Sequence, residues 1–199
     1  DFGTFEPLPG MSTVLVTMLE HPLCSTVDND QFDCSRQLVE YLLSLGHKTV
    51  HFISCPERSL SGMQREAGWR ETLVHHGIEP PQLIRGDWTA ASGYAAGQAL
   101  ADDPTCTAVY ASNDAMAYGC ILGLRSRGRR VPEDVSVVGV DDSLEDIVPD
   151  LKLTTVRFDN KRVGMWAVDK IAAPEPTDAV EHVLIPGKLI EGDTVRGLL

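Results

Sequence analysis

The sequence predicts an α/β protein built on a parallel sheet with helices on both faces, and three observations predict it. Apolar, β-rich runs alternate strictly with amphipathic windows at helical spacing, and Gly, Pro or Asp punctuates each switch. The run Val135–Val140 is continuous in apolar character but for Ser136, as in a strand covered on both faces. Alternation of this kind dictates right-handed βαβ units. The 199 residues, 43% hydrophobic and 23% charged with mean hydropathy −0.08, bury a sizeable core in one large domain or two small lobes. A disordered tail and a disulfide miniprotein are excluded, and no apolar run approaches the ~18 residues of a membrane span.

The first strand is expected at Thr13–Thr17, after a front segment, Asp1–Gly10, that has no periodicity. A helix over Phe32–Leu45 sets Leu38, Tyr41, Leu42 and Leu45 on one face and stops at Gly46, a left-handed cap. Strand Thr49–Ser54 follows, then a helix over Gly62–His76 ending at Gly77, then strand Gln82–Arg85. Thr89 caps a helix over Ala90–Ala101, which ends before Asp102-Asp103-Pro104. Strand Ala108–Ser112 feeds a helix over Asp114–Arg127, closed by Gly128. Strands Val135–Val140 and Leu153–Val156, a last helix Lys161–Ile171, a Pro-rich stretch and a short strand near Glu181–Ile185 complete the order. A lone strand ahead of the first full βα unit reads as the trailing end of a lobe, and Asp1 is not expected to be the native start.

With 29 acidic against 17 basic residues the net charge is −12, which repels a phosphate backbone over most of the surface. Five cysteines, widely spaced and without a Cys-x-x-Cys pair, read as reduced thiols of a cytoplasmic protein. The six histidines show no metal-ligand spacing, and no phosphate-cradling glycine loop or Gly-x-Ser-x-Gly elbow is present. Arg125, Arg127, Arg129 and Arg130 read as a solvated helix end or as an anion patch.

In open parallel sheets, ligands bind beyond the carboxyl ends of the strands. Those ends carry Arg65 at the entry of the helix after Thr49–Ser54, Trp88 after Gln82–Arg85, Asn113-Asp114 after Ala108–Ser112, and Asp141-Asp142 after Val135–Val140. The set suits a sugar: Asp accepts from vicinal hydroxyls, Arg donates through a planar fork, Asn does both, and Trp stacks on the C–H face. Charge-assisted hydrogen bonds of ~1.5–3 kcal/mol each supply micromolar binding without any nucleophile. Each residue also has a structural reading: turn former or cap for the Asp pair, helix cap for one of Asn113 and Asp114, solvated surface for Arg65, core for Trp88. Trp69 and Trp166 lie among apolar neighbours at helical spacing and read as packing.

Several blocks then stand in a recognisable order: LVEYLLSLGHKTV at Leu38–Val50, Arg65-Glu66-Ala67-Gly68-Trp69, Gly86-Asp87-Trp88, Ala111–Gly119, Val131–Gly139, Asp141-Asp142 and Leu153–Val156. Together, over about residues 25–195, they resemble the effector-binding core of the lac repressor and galactose repressor family of bacterial transcription regulators. The resemblance implies a periplasmic-binding-protein-like type I fold of two Rossmann-like parallel-sheet lobes, the first incomplete in this chain. It divides the chain into 1–25 with 159–188 and 26–157 with 189–199, with crossings near Cys24–Asp28, Val156–Asp159 and Gly187–Glu191. It implies that Arg65, Asn113 and Asp141 bind hydroxyls of the effector, that Trp88 stacks on it and that Phe158 faces the cleft. It implies no metal, cofactor, catalysis or membrane, a sugar or related metabolite as ligand, a cytoplasmic homodimer, and operator DNA bound through a helix-turn-helix head that this chain does not contain. Ligand closing the lobes would then change operator affinity. Most of the first lobe expected before Thr13 is also missing, and Thr17 stands where relatives often carry an acid. A transport-type periplasmic sugar-binding protein of the same fold is the alternative, and a receiver-like phosphoryl acceptor using Asp141-Asp142 a third.

Overall fold

A computed structural model describes residues 4–8, 10–144, 147–173 and 179–199. The Pro-rich stretch falls within 174–178, outside the described residues. In chain order the elements are β1 (Val14–Val16), β2 (Ser25–Asn29), α1 (Gln31–Ser44), β3 (His51–Ser54), α2 (Leu60–His75), β4 (Ile84–Arg85) and α3 (Ala90–Ala101). Then come β5 (Ala108–Ala111), α4 (Asp114–Ser126), β6 (Ser136–Val138), β7 (Thr155–Arg157), α5 (Asn160–Ala172), β8 (His182–Ile185) and β9 (Lys188–Ile190). The chain forms two compact units, Asp1–Asp30 with Phe158–Gly187 and Gln31–Arg157 with Lys188–Leu199.

The second unit holds a four-stranded parallel sheet in the order β4-β3-β5-β6. Its strands β3, β5 and β6 are buried along their length, as strands covered on both faces must be, with His51, Ser54 and Ser136 buried among the apolar residues. Ile53, Val109, Met116, Ile121, Leu124 and Val137 belong to the core between this sheet and its helices. On the other helix pair, Trp69 is wholly buried, stacks on Phe52 at 5.2 Å and donates its indole N–H to Val50 O at 2.8 Å, so it packs as expected. Helices stop where the glycines stand: Gly46, Gly77 and Gly128 take φ of +96°, +71° and +79°.

Two departures concern strands. β7 and β9 pair antiparallel, so the chain is not all-parallel as strict alternation predicted, and β9 is a three-residue strand that was not anticipated. In the first unit, β2 is the middle strand of a parallel sheet β1-β2-β8, where the sequence suggested only a crossing segment. Its sequence, Ser-Thr-Val-Asp-Asn, offers one apolar residue, Val27, which packs with Val163, Ala167 and Ile185. The polar side chains enter the sheet because distant partners meet them. Thr26 Oγ1 bonds His182 Nδ1 at 3.1 Å, Ser25 Oγ accepts from Glu181 N at 3.1 Å, and Asn29 Nδ2 donates to Asn160 Oδ1 at 2.7 Å. With β2 a full strand, the chain leaves the first unit after Asp30, beyond Cys24–Asp28.

Candidate functional site

The carboxyl ends of β3, β4, β5 and β6 bring Arg65, Trp88, Asn113 and Asp141 together within the second unit. Arg65 is 4% exposed on the first turns of α2. Its Nε donates to Gln31 Oε1 at 2.8 Å, Nη1 donates to the carbonyl of Ser112, and Nη2 stands 3.6 Å from Asp141 Oδ1. The guanidinium carbon lies 5.7 Å from the centre of the Trp88 ring. Burying a guanidinium is tolerable only where donors find acceptors and the charge finds a counter-ion, and this one has both.

Asn113 caps α4, accepting Met116 N–H at its Oδ1 at 2.8 Å, while its Nδ2 donates to the carbonyl of Trp88 at 3.1 Å. The cap reading thus holds for Asn113, and beyond these two bonds its amide keeps one N–H and one lone pair. Trp88 adopts φ +74° and Asp141 φ +109°, with Asp142 next to it at +53°. Non-glycine residues in this region are strained, and such strain gathers where function fixes a side chain's direction. Asp141 keeps 42% of its side chain open, although loss of water at its base pushes the carboxyl above its ordinary pKa and Arg65 pulls it back. Asp142 turns the other way and ion-pairs with Arg157.

Phe158 belongs to the first unit, half-buried between β7 and α5 in the chain. Ser112, fully buried at the end of β5, has an Oγ without a hydrogen-bond partner among the described residues. Gln31 and Ser112 escaped sequence reasoning, and Asp114 entered it only as half of the Asn113-Asp114 pair, not through its contacts to Ser143 and Thr155. Gln31 and Ser112 hold Arg65 through contacts 34 and 47 residues apart in the chain, which no local pattern encodes. The basic run after α4 is largely committed internally. Arg129 donates to the carbonyls of Ala101 and Cys106, Arg125 to that of Val131, and Arg130 pairs with Asp134 at 2.8 Å. Among the described residues no three His, Cys, Asp or Glu side chains converge as a metal site, and no helix is long and apolar enough to cross a membrane.

A family model described as periplasmic binding protein-like domain matches residues 39–195. The lactose operon repressor of Escherichia coli (strain K12) is 34% identical over 164 residues, 81% of this chain and 46% of that protein. The chain belongs to the lac repressor and galactose repressor family. Solved members of the family share its fold. The lac repressor dimer bound to operator and the anti-inducer ONPF aligns with TM-score 0.80 and 30% identity, over 92% of this chain and 64% of that one. A transcriptional regulator CelR–cellobiose complex aligns with TM-score 0.75 and 32% identity, over 88% and 55%. The chain spans about half the length of the curated family members it matches.

Proposed function

We propose that this chain is the effector-binding core of a bacterial transcriptional regulator, and that Arg65, Trp88, Asn113 and Asp141 hold a sugar or related small metabolite. The observation that carries the reading is the linkage of these four side chains on one rim, where a buried guanidinium faces a carboxylate still open to solvent beside an indole ring. A vicinal diol fits that pair, one hydroxyl accepting from Arg65 Nη2, which stands beside Asp141, and its neighbour donating to Asp141, with the C–H face on Trp88. We propose Phe158 as a further, apolar contact, and the two units as two lobes, with Asp1–Asp30 and Phe158–Gly187 contributing part of the first. The cellobiose complex among the relatives supports the ligand class, and the operator-bound dimer supports a homodimer that reaches DNA through a separate, basic head in the cytoplasm. Such a head supplies the charge that a core of net −12 lacks. Effector binding shifts operator affinity by the difference in its affinity for two conformations. The relatives carry the names of transcriptional regulators, which weighs against the transport reading and against an enzyme.

Tryptophan fluorescence and thermal shift on the full-length protein, across mono- and disaccharides with cellobiose included, test the reading. At least one sugar is expected to raise the melting temperature, and Asp141→Ala is expected to weaken it about tenfold or more, the worth of a charge-assisted hydrogen bond. Silence across the whole panel overturns the sugar reading and directs the search to purines, phosphorylated metabolites or protein effectors.

A further inference from the structure

Asp114 is the buried carboxylate that the effector site leaves unexplained. It opens α4 and is 1% exposed, yet Asn113 caps the helix. Its side chain reaches elsewhere: Oδ1 accepts from Thr155 Oγ1 at 2.7 Å, and Oδ2 accepts from the Ser143 backbone N–H at 2.7 Å. The carboxylate comes so near the end of β6 that a Cβ on Gly139 would stand 2.4 Å from Oδ1, so a side chain there would have to displace the carboxylate. The backbone N–H of Asp114 donates to Val140 O at 2.9 Å. One residue therefore fixes the chain immediately before and immediately after Asp141-Asp142, the pair with φ of +109° and +53°. A left-handed pair of this kind persists only where its surroundings over-determine it.

We propose that Asp114 is the positioning residue for Asp141, its side chain anchoring Ser143 so that the left-handed turn aims the Asp141 carboxylate at Arg65. The proposal rests on the reading of Arg65 and Asp141 as effector contacts. Burial pushes the Asp114 carboxyl up to about 6, against the pull of the Ser143 and Thr155 hydrogen bonds, and the charges of Asp141 and Asp142 add to the rise. The other charged groups around it are Arg157, bound to Asp142, and Lys152 and Glu191, which share with Asp114 the wall of a cavity of about 250 Å³. A protonated oxygen is a poor acceptor, so the Ser143 anchor weakens as pH falls through that value.

Amide and guanidinium NMR of the full chain, from about pH 8 down to about pH 4.5, decides it. The Ser143 amide is expected to titrate with a midpoint near 6 in the wild type and to lose that titration in Asp114→Asn, with its hydrogen exchange about tenfold faster. At neutral pH the Arg65 Nε–H resonance is expected to move in Asp114→Asn. Thr155→Val keeps the carboxylate and removes one donor to it, so the Ser143 midpoint is expected to rise; this variant carries the test if Asp114→Asn does not fold. A Ser143 titration that survives in Asp114→Asn, a midpoint unmoved by Thr155→Val, or an Arg65 signal unchanged while only the melting temperature falls, each overturns the proposal. Cellobiose, added as a probe at neutral pH, separates the two readings. If no sugar of the mono- and disaccharide panel binds either, the effector reading fails while the Ser143 and Arg65 signals still decide the role of Asp114.

Discussion

Asn113 works through both ends of its amide, and the two ends can be separated by mutation. Oδ1 closes the first turn of α4 on Met116, and Nδ2 holds the carbonyl of Trp88, whose own φ of +74° needs an external tether. Asn113→Ala removes both and is expected to cost about 1–2 kcal/mol, the usual worth of an N-cap. Asn113→Asp keeps an acceptor at a helix N-terminus but turns a donor into a second acceptor facing the Trp88 carbonyl. Its stability loss in urea titration is therefore expected to be smaller than alanine's, while its tryptophan emission changes more. Equal losses and equal spectra in the two variants would show that the Trp88 tether carries no weight. Arg65 is equally committed, since its three nitrogens face three different groups, a pattern that the point charge of lysine cannot reproduce.

At the scale of elements, α3 and α4 are locked by four glycines set in reciprocal pairs. A Cβ on Gly93 or Gly97 would stand 2.1 Å or 2.3 Å from carbonyl oxygens of α4, and one on Gly119 or Gly123 would stand 1.9 Å or 2.2 Å from those of α3. The helices thus touch backbone to backbone. Gly119→Ala gains about 1 kcal/mol of helix propensity but drives the helices apart, so it is expected to destabilise by about 1–3 kcal/mol overall. Gly164, in α5, has nothing within 4 Å of its would-be Cβ, so Gly164→Ala is expected to stabilise by about 0.5–1 kcal/mol. Chemical denaturation of the two variants, side by side, reads contact against propensity; a stabilised Gly119→Ala would show that the helices are free to separate. β2 makes the complementary point, since its polar residues form a central strand only because His182, Glu181 and Asn160 meet them.

For the molecule as a whole, acid stability is a contest between buried groups of opposite sign. His47 ties Thr107, Ser136 and the Arg196 carbonyl together, and burial holds its pKa below the usual 6.5 despite that carbonyl. The unfolded chain takes up this proton first, so the stabilisation is whole above about pH 6.5 and is lost as pH falls through the folded value. Asp114, raised from 3.8 to about 6, acts in reverse: its contribution is whole below the unfolded value and is lost as pH rises through the folded one. Thermal unfolding between about pH 7 and 5 is expected to fall more steeply in the wild type than in His47→Gln, and more steeply still in Asp114→Asn, which removes the opposing group. Parallel profiles for wild type and His47→Gln would assign the acid sensitivity elsewhere.

Periodicity and capping residues were enough to read the five helices to within two residues and the strands of the four-stranded sheet in order. Thr89, Gly46, Gly77 and Gly128 act on neighbours a few positions away, and such short-range physics is written in the chain itself. The order of strands and helices also placed Trp88, Asn113 and Asp141 just past strand ends and Arg65 on the helix that follows β3, because an α/β chain turns at the carboxyl end of every strand. Tertiary structure alone decided what those residues touch. The buried anchor of Arg65 at Gln31, the clamp of Asp114 on Ser143 and Thr155, the left-handed turns at Trp88 and Asp141, and the strand state of a polar Ser25–Asn29 all depend on groups tens to more than a hundred residues away. Their free energy comes from partners that exist only once the chain has folded, so no window of sequence contains it.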